Sequence, residues 1–211
     1  MTQRVEKPCE AEIEYLETVQ VEGQGIPTIA LDYIPQQIQD IDLYLDFTLK
    51  GWGKDTTTNK MFCGAYNDNN NSTDYLLQRR GNLNNELIIS WGSKGSSNYI
   101  SCTLNKRSVL EIHGNSRKAI LDGVEKTFNA FSTGKEPNTA RFAVFSGNNT
   151  QSNGALWRLY SMKIVQEGEV LYDLIPFRKD GDGYLYNKIT GKLYGNVEGN
   201  TGRFILGPDI A

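Results

Sequence analysis

The sequence has few of the residues that build metal centres, disulfide frameworks or membrane spans. It contains three cysteines and one histidine among 211 residues, with no Cys-x-x-Cys pair and no Cys/His ligand spacing. This predicts neither a zinc site nor a disulfide framework. No apolar run approaches the ~18 residues that a transmembrane helix needs. The first residues lack the apolar core of a signal peptide. We therefore expect no membrane span, no signal peptide and no metal ligands.

The positions of the cysteines indicate whether their thiols are free or bridged. Cys63 and Cys102 lie in short apolar runs that are typical of strands, whereas Cys9 lies near the start of the chain. Buried free thiols are the simpler interpretation of two such residues. We therefore expect no Cys63–Cys102 bridge.

The sequence also lacks helical periodicity and an excess of basic charge. No window keeps an i, i+3, i+4, i+7 apolar pattern for three turns, whereas 21 glycines and 11 tyrosines favour turns and strands. The net charge is −3 and the basic residues are scattered, which argues against a nucleic-acid surface. No linker divides the chain. We predict a single domain over residues 1–211, in which residues 1–11 are a flexible or linking segment.

The clearest alternation runs from Ile41 to Leu49 and predicts a strand with one buried face and one solvated face. The predicted inward residues are Ile41, Leu43, Leu45, Phe47 and Leu49, and the outward ones are Asp42, Tyr44, Asp46 and Thr48. Glu12 to Val21 is predicted as an earlier strand, and a short apolar run, Thr28 to Ile34, follows and ends at Pro35. More than ten short strands at this spacing indicate an all-β, antiparallel two-sheet sandwich or jelly roll.

The closing stretch, Ala155 to Pro208, predicts a β-meander whose strands are separated by glycine-containing turns. Tyr160, Met162 and Ile164 share one predicted strand face. A second apolar run, Val170 to Ile175, is predicted to end at Pro176, because proline has no N–H for a ladder. We expect this meander to supply much of the core.

The same stretch resembles the end of a bacterial and phage family among the concanavalin A-like lectin/glucanase (LamG-type) jelly rolls. That family has a strand of the form "IYSLKI", then "DLIPVRK-DG-GLYD" and "SGKFYGN-GTG-F--G". The matching segments here are Leu159 to Ile164, Asp173 to Pro176, Arg178 to Gly181 and Gly191 to Asn196. The resemblance covers about fifty residues, and Glu14 to Glu17 matches the family's opening "YLES". It implies a jelly-roll sandwich on a virion or a bacterial cell surface.

Glucanases of this superfamily use paired carboxylates on one strand as nucleophile and acid/base. The nearest sets here are Glu12, Glu14 and Glu17, and Asp40, Asp42 and Asp46. Neither matches the E-x-D-x-x-E pattern, and a solvated strand face explains both. No G-x-S-x-G elbow accompanies His113, which is interpreted as a residue beside a turn. We therefore expect no catalytic residue. Glycoside hydrolysis is the weaker alternative.

Calcium is an alternative without a supporting motif. Asp180-Gly181-Asp182-Gly183 lacks the carboxylate that an EF-hand needs at its twelfth position, and a hairpin turn explains it. Loop Asp and Asn oxygens are the donors that remain for such an ion. We expect no cofactor.

Aromatic residues beside glycines or at strand ends are the candidate ligand contacts, because flat rings suit the apolar C–H faces of sugars. The predicted ligand-binding residues are Trp52, Trp91, Asp42, Tyr44, Tyr66, Asn69 and Tyr99. Core packing is the alternative for each tryptophan. We expect the ligand surface on one sandwich face and its loop rim, outside the closing stretch.

Two functions fit these features. The first is a non-catalytic glycan-binding or adhesion module, in which several copies of the chain, as in a homo-oligomer, raise a weak affinity. The second is a structural or decoration protein of a phage particle that acts through protein contacts. The fold alone does not choose between them.

Overall fold

Strands account for all the regular structure of the described residues. The computed structural model describes residues 10–19, 21, 24–35, 40–51, 60–66, 74–79, 86–93, 98–128, 139–146 and 155–210. The strands are β1 (Ala11–Glu12), β2 (Leu16–Glu17), β3 (Ile29–Ala30), β4 (Ile41–Gly51), β5 (Lys60–Ala65), β6 (Asp74–Arg79), β7 (Glu86–Ser93), β8 (Tyr99–Ser101), β9 (Arg107–His113), β10 (Lys118–Leu121), β11 (Val124–Thr127), β12 (Ala143–Val144), β13 (Leu156–Gln166), β14 (Glu169–Lys179), β15 (Asp182–Asn187), β16 (Leu193–Tyr194) and β17 (Ile205–Leu206). No helix of the length and hydropathy of a membrane span occurs in this part of the chain.

The strands form two antiparallel sheets. The larger sheet has the order β11-β10-β9-β4-β13-β14-β15-β16, with β1 beside β14 and with β2 pairing both β13 and β17. The smaller sheet has the order β3-β12-β5-β6-β7-β8. All the registered pairs are antiparallel. The predicted all-β class and the two-sheet sandwich are therefore confirmed.

Strand β4 lies inside the larger sheet, between β9 and β13. Its five predicted inward residues, from Ile41 to Leu49, are at most 1% exposed. Asp42, Tyr44 and Asp46 alternate with them and are only partly buried. The prediction that Thr48 is solvated is wrong, because Thr48 is 4% exposed and its hydroxyl lies 3.3 Å from that of Tyr160. The period-2 pattern thus predicts correctly which side of β4 faces the core.

The core lies between the inner faces of the two sheets. Phe47 and Trp157 of the larger sheet contact Phe62 of the smaller one, and Trp157 also contacts Phe145. The ring centroids of Phe62 and Trp157 are 5.2 Å apart in an edge-to-face arrangement, which aromatic quadrupoles favour. The closing meander therefore contributes to the core as expected.

Both described cysteines confirm the prediction of free thiols. Cys63 and Cys102 are buried and unbridged. Burial raises the pKa of Cys102 to about 11 and also raises that of Cys63. Neither thiol is therefore prepared for nucleophilic chemistry.

Two-residue turns close the predicted hairpins. Asp122 and Gly123 have φ values of 51° and 82°, and Asp180 and Gly181 have 52° and 83°. Positive φ at both central positions is the requirement of a type I′ turn. The Asp-Gly prediction at residues 122–123 and the hairpin interpretation of residues 180–183 are confirmed.

A β-bulge changes which residues of β13 face the core. Pairing with β4 steps from Leu159 opposite Phe47 to Ser161 opposite Asp46, so Tyr160 is the extra residue. Tyr160 consequently lies on the outer side, while Met162 and Ile164 are buried. The predicted shared face is therefore wrong at Tyr160.

Strand β14 continues through Pro176, so the prediction that the run ends at Ile175 is wrong. The carbonyl of Pro176 accepts the N–H of Ile13 at 3.2 Å. The N and O of one residue in an antiparallel ladder point to the same neighbour. The missing N–H of Pro176 would therefore face the two-residue strand β1 as well, and the pairing of β14 with β15 on the other side is uninterrupted.

The predicted strand from Glu12 to Val21 is broken in two. β1 pairs with β14, whereas β2 pairs with β13 and β17. Because β1 and β2 pair with different strands, the segment does not form one continuous strand. The run from Thr28 to Ile34 is likewise reduced to β3.

Candidate functional site

Polar and aromatic side chains cover the outer side of the larger sheet around β4. Register places His113 of β9 opposite Asp42, and Glu111 opposite Tyr44. On the other flank, Ser161 lies opposite Asp46. We call this surface the outer face, and its members are Asp42, Tyr44, Asp46, Arg107, Glu111, His113 and Tyr160.

His113 links two carboxylates at one end of the outer face. Its Nδ1 lies 3.1 Å from Oδ2 of Asp42, and its Nε2 lies 3.1 Å from Oε2 of Glu111. The backbone N–H of Gly114 donates to the other oxygen of Asp42 at 3.0 Å. The ring of Tyr44 meets the imidazole edge-on, with centroids 5.6 Å apart. The protonated imidazole can donate to both carboxylates at once.

These contacts set the charge of His113. Partial burial by itself lowers its pKa, but the hydrogen bonds and the negative charges of Asp42 and Glu111 outweigh that effect, and the net pKa is raised. Burial, with the same two carboxylates, also raises the pKa of Tyr44. The cluster therefore holds a cation between two anions over a wider pH range than a free histidine would allow.

We expect the single histidine to titrate above its ordinary value of 6.5. A raised folded pKa contributes stability that is complete below the unfolded pKa and is lost as pH rises through the folded pKa. The melting temperature of the wild type should therefore fall relative to His113→Gln as pH rises from about 6 to 8. Proton NMR gives the pKa directly, because the imidazole C–H signals belong to one residue.

Asp42→Asn is the matched control for this titration, since it removes one anion and keeps the size of the side chain. It should lower the pKa of His113 toward 6.5. A wild-type pKa at or below that value would contradict the cluster as described.

A second cluster lies at the other end of the outer face. Nε and an Nη of Arg107 donate to the two oxygens of Asp46 at 2.8 and 2.7 Å. The guanidinium carbon lies 3.8 Å from the centroid of the Tyr160 ring. Bidentate pairing and cation–π stacking together fix the guanidinium in place. The β13 bulge makes this arrangement possible by turning Tyr160 outward.

A second arginine that pairs with a carboxylate and stacks on a tyrosine lies beside the Arg107 cluster. Arg158 stacks on Tyr15 at 3.7 Å and pairs with Glu17 at 2.5 Å. The Tyr15 and Tyr160 rings meet edge-on at 5.9 Å. The outer face therefore continues onto β2 as an ordered surface of aromatic rings and paired charges.

The geometry bears on which chemistry the outer face supports. Both imidazole nitrogens of His113 are occupied by carboxylates, so neither is available to activate a serine. No group of three or more metal-ligating side chains occurs among the described residues. What the face offers is hydrogen-bonding capacity: five N–H donors on Arg107 and four acceptor sites on each carboxylate, only partly used.

A shallow cavity of about 380 Å³ adjoins the His113 cluster. It is lined by Asp40, Asp42, His113, Asn115 and Ser116. The turn after β9 thus forms a rim to the outer face, and all the rim side chains are polar.

Of the five predicted site residues that the structure describes, it brings together two, Asp42 and Tyr44. Tyr99 lies elsewhere, in a cleft of about 690 Å³ between β8 and the β10–β11 hairpin. Its backbone carbonyl accepts a hydrogen bond from the Lys126 ammonium group. Tyr66 directly follows β5 and is half-buried. Trp52 and Asn69 lie outside the described residues.

Trp91 is a core residue, which corrects its assignment as a ligand contact. It is 1% exposed, and its Nε1–H donates to the carbonyl of Ile41 at 2.6 Å. Its ring packs edge-on against Tyr75 and Phe142. A ring enclosed by both sheets cannot stack on a ligand at the surface.

Sequence reasoning missed Glu111, Arg107 and Tyr160. The signal for Glu111 is its place in the alternating run from Ser108 to His113, but its position beside Tyr44 depends on strand register. Arg107 directly precedes the same alternating run, but its position beside Asp46 and Tyr160 likewise depends on strand register. Tyr160 carries no such signal, because the bulge reverses its side.

No model of a known protein family matches this sequence, and a search of curated proteins finds no relative.

Proposed function

We propose that this chain is a non-catalytic module that binds glycans on a bacterial surface, either as a cell-surface adhesin or in a phage virion. Its sandwich would be a concanavalin A-like jelly roll, in line with the resemblance of the closing stretch. The observation that carries the proposal is the outer face, where aromatic rings and hydrogen-bonding groups alternate on the solvent side of β4, β9 and β13.

The outer face has the chemistry that a saccharide needs. A pyranose has an apolar C–H face for an aromatic ring and a rim of hydroxyl groups that donate and accept hydrogen bonds. Tyr44 is half-buried between Asp42 and Asp46 on the same strand face. Carboxylates accept hydroxyl hydrogens, and Arg107 supplies donors beside them. The existing ion pairs fix these groups, which lowers the entropy lost on binding.

Hydrolysis fits the same residues less well. A glycosidase needs two carboxyl groups that flank the scissile bond, with one of them free to give a proton. Asp42 and Glu111 both contact His113, and Asp46 contacts Arg107. Each carboxylate would have to leave its partner to take part in catalysis.

One sugar stacked on one ring, with two or three hydrogen bonds, gives about 4–6 kcal/mol, which corresponds to a millimolar to tens-of-micromolar Kd. Several copies acting together would raise the apparent affinity by orders of magnitude. Detection of binding therefore calls for multivalent display of the protein.

The test is an array of bacterial capsular, O-antigen and cell-wall polysaccharides, probed with the protein displayed in multiple copies. We expect retention of at least one polysaccharide class. Tyr44→Leu should weaken it roughly tenfold through the lost ring, and Tyr44→Phe by only a few-fold. Ile189→Ser is the control, because that exposed residue lies on a hairpin turn outside the outer face.

Two results count against the proposal. Retention unchanged by Tyr44→Leu would remove the outer face from the binding site. No retention, together with co-purification with capsid or tail proteins, would favour the structural virion protein instead.

A further inference from the structure

The closing meander contains a second cavity, larger than the one beside His113. Its volume is about 580 Å³, within the ~300–1,000 Å³ of small-molecule sites. One wall is the start of β15 with the turn before it, residues 181–184. The other wall is the segment 195–204 after β16. We call it the meander cavity.

Side-chain amides hold the 195–204 wall in one conformation. Oδ1 of Asn196 accepts the N–H of Thr28 at 2.8 Å, and its Nδ2 donates to the carbonyl of Gly202 at 2.8 Å. Nδ2 of Asn200 donates to the carbonyl of Ile26 at 2.8 Å, while its Oδ1 accepts the N–H of Gly202 at 2.8 Å. The wall is therefore preorganised by hydrogen bonds and does not depend on a ligand for its shape.

An aromatic ring is fixed at the boundary of this cavity. Tyr184 projects from β15 and its ring lies directly over Gly195, where an added Cβ would come within 2.7 Å of the ring atom Cε1. Only glycine permits that approach, so the backbone supports the ring on one side. Tyr184 also lines the cavity. The ring is thus a rigid platform at the surface.

The charged groups around the meander cavity are not paired with each other. Asp182, Glu198 and Arg203 are exposed, and within the described part of the chain their side chains form no hydrogen bond or ion pair. This differs from the outer face, where Arg107 and His113 are each bound by carboxylates. Among the described residues, two carboxylates and one guanidinium are therefore unpaired around a preformed ring.

We propose that the meander cavity is a saccharide subsite that binds one pyranose unit of a neutral polysaccharide. The proposal rests on the proposed glycan-binding function and adds a second place of contact. Tyr184 stacks on the C–H face of the sugar, Asp182 and Glu198 accept hydrogens from its hydroxyls, and Arg203 donates to hydroxyl or ring oxygen atoms. Hydroxyl groups match this mixture of acceptors and donors, whereas an anionic ligand would face two carboxylates. The proposal departs from the expectation that the closing stretch serves only packing and turns.

The test is an NMR titration of the full chain with methyl glucosides, galactosides and mannosides and with N-acetylglucosamine, at millimolar concentrations. At least one sugar should shift the backbone amide signals of residues 195–204. Tyr184→Ala should weaken that binding roughly tenfold, which corresponds to ~1.4 kcal/mol. Tyr186→Ala is the matched control, since it removes the same side chain from the same strand outside the cavity and should leave the shifts intact.

Asp182→Asn and Glu198→Gln provide a second route if Tyr184→Ala does not fold, because both residues are exposed and each variant should still weaken binding. The subsite is overturned if no sugar shifts these amides, or if the shifts survive Tyr184→Ala in a folded protein. Glycan retention that depends on Tyr44 but not on Tyr184 would leave the proposed function standing and remove only this subsite. Retention on the array that Tyr44→Leu leaves unchanged, with the 195–204 shifts preserved, would remove the outer face instead.

Discussion

Replacing Trp91 with alanine is expected to lower the free energy of unfolding by about 4 kcal/mol or more. Large aromatic-to-alanine changes in a core cost roughly 3–5 kcal/mol. Here the carbonyl of Ile41 also loses the hydrogen bond it accepts from Nε1–H. For a chain of this length, thermal melting should fall by about 8–16 °C. A fall of only a degree or two would mean that Trp91 is outside the core.

A paired comparison of tryptophans isolates that hydrogen bond. Trp157 is as deeply buried as Trp91, but its Nε1 has no partner in the described part of the chain. Trp157→Phe therefore removes an unsatisfied donor, whereas Trp91→Phe leaves a carbonyl without its donor. We expect Trp91→Phe to be the more destabilising of the two by about 1–3 kcal/mol, measured by denaturant unfolding. Equal losses would contradict the difference in bonding.

The contrast between Trp91 and Tyr44 shows how far the sequence could go. The β4 alternation predicts that Tyr44 faces outward, because the side-chain period of a strand is fixed by its backbone. Trp91 lies in a run, Glu86 to Trp91, in which Leu87, Ile88 and Ile89 are apolar at successive positions, so the alternation is less clear there than in β4. Its place in the core depends on contacts from distant parts of the chain: the carbonyl of Ile41 in the opposing sheet, and the ring of Phe142 beside β12 in its own sheet.

The composition of the outer face was predictable only in part, for a related reason. Asp42 and Tyr44 follow from one strand, but the proximity of His113 and Glu111 requires the register between β4 and β9. These residues are about seventy positions away along the chain, and no local pattern encodes that pairing. Tyr160 requires the bulge in addition. The sequence therefore predicts which residues of β4 face outward, but it does not predict which residues of other strands join them in the site.

Gly64→Ala is expected to destabilise the smaller sheet strongly. Gly64 lies in β5 between β6 and β12, with φ at +145°. A Cβ there would lie 2.0 Å from the carbonyl oxygen of Tyr75 and 2.8 Å from Cα of Leu76. Both are backbone atoms of the paired strand, so no side-chain rotation relieves the overlap. The ladder must open, and we expect a loss of about 4 kcal/mol or more.

Gly51→Ala separates this overlap from the strain in the backbone angle. Gly51 has a similar φ of +152°, but no atom of the described residues lies within 4 Å of an added Cβ. Its alanine variant should lose only the ~1–3 kcal/mol of an unfavourable backbone conformation. Denaturant unfolding of the two variants should therefore differ by at least ~1 kcal/mol. Equal losses would show that the backbone angle alone requires glycine at residue 64, and that β5 and β6 can separate without penalty.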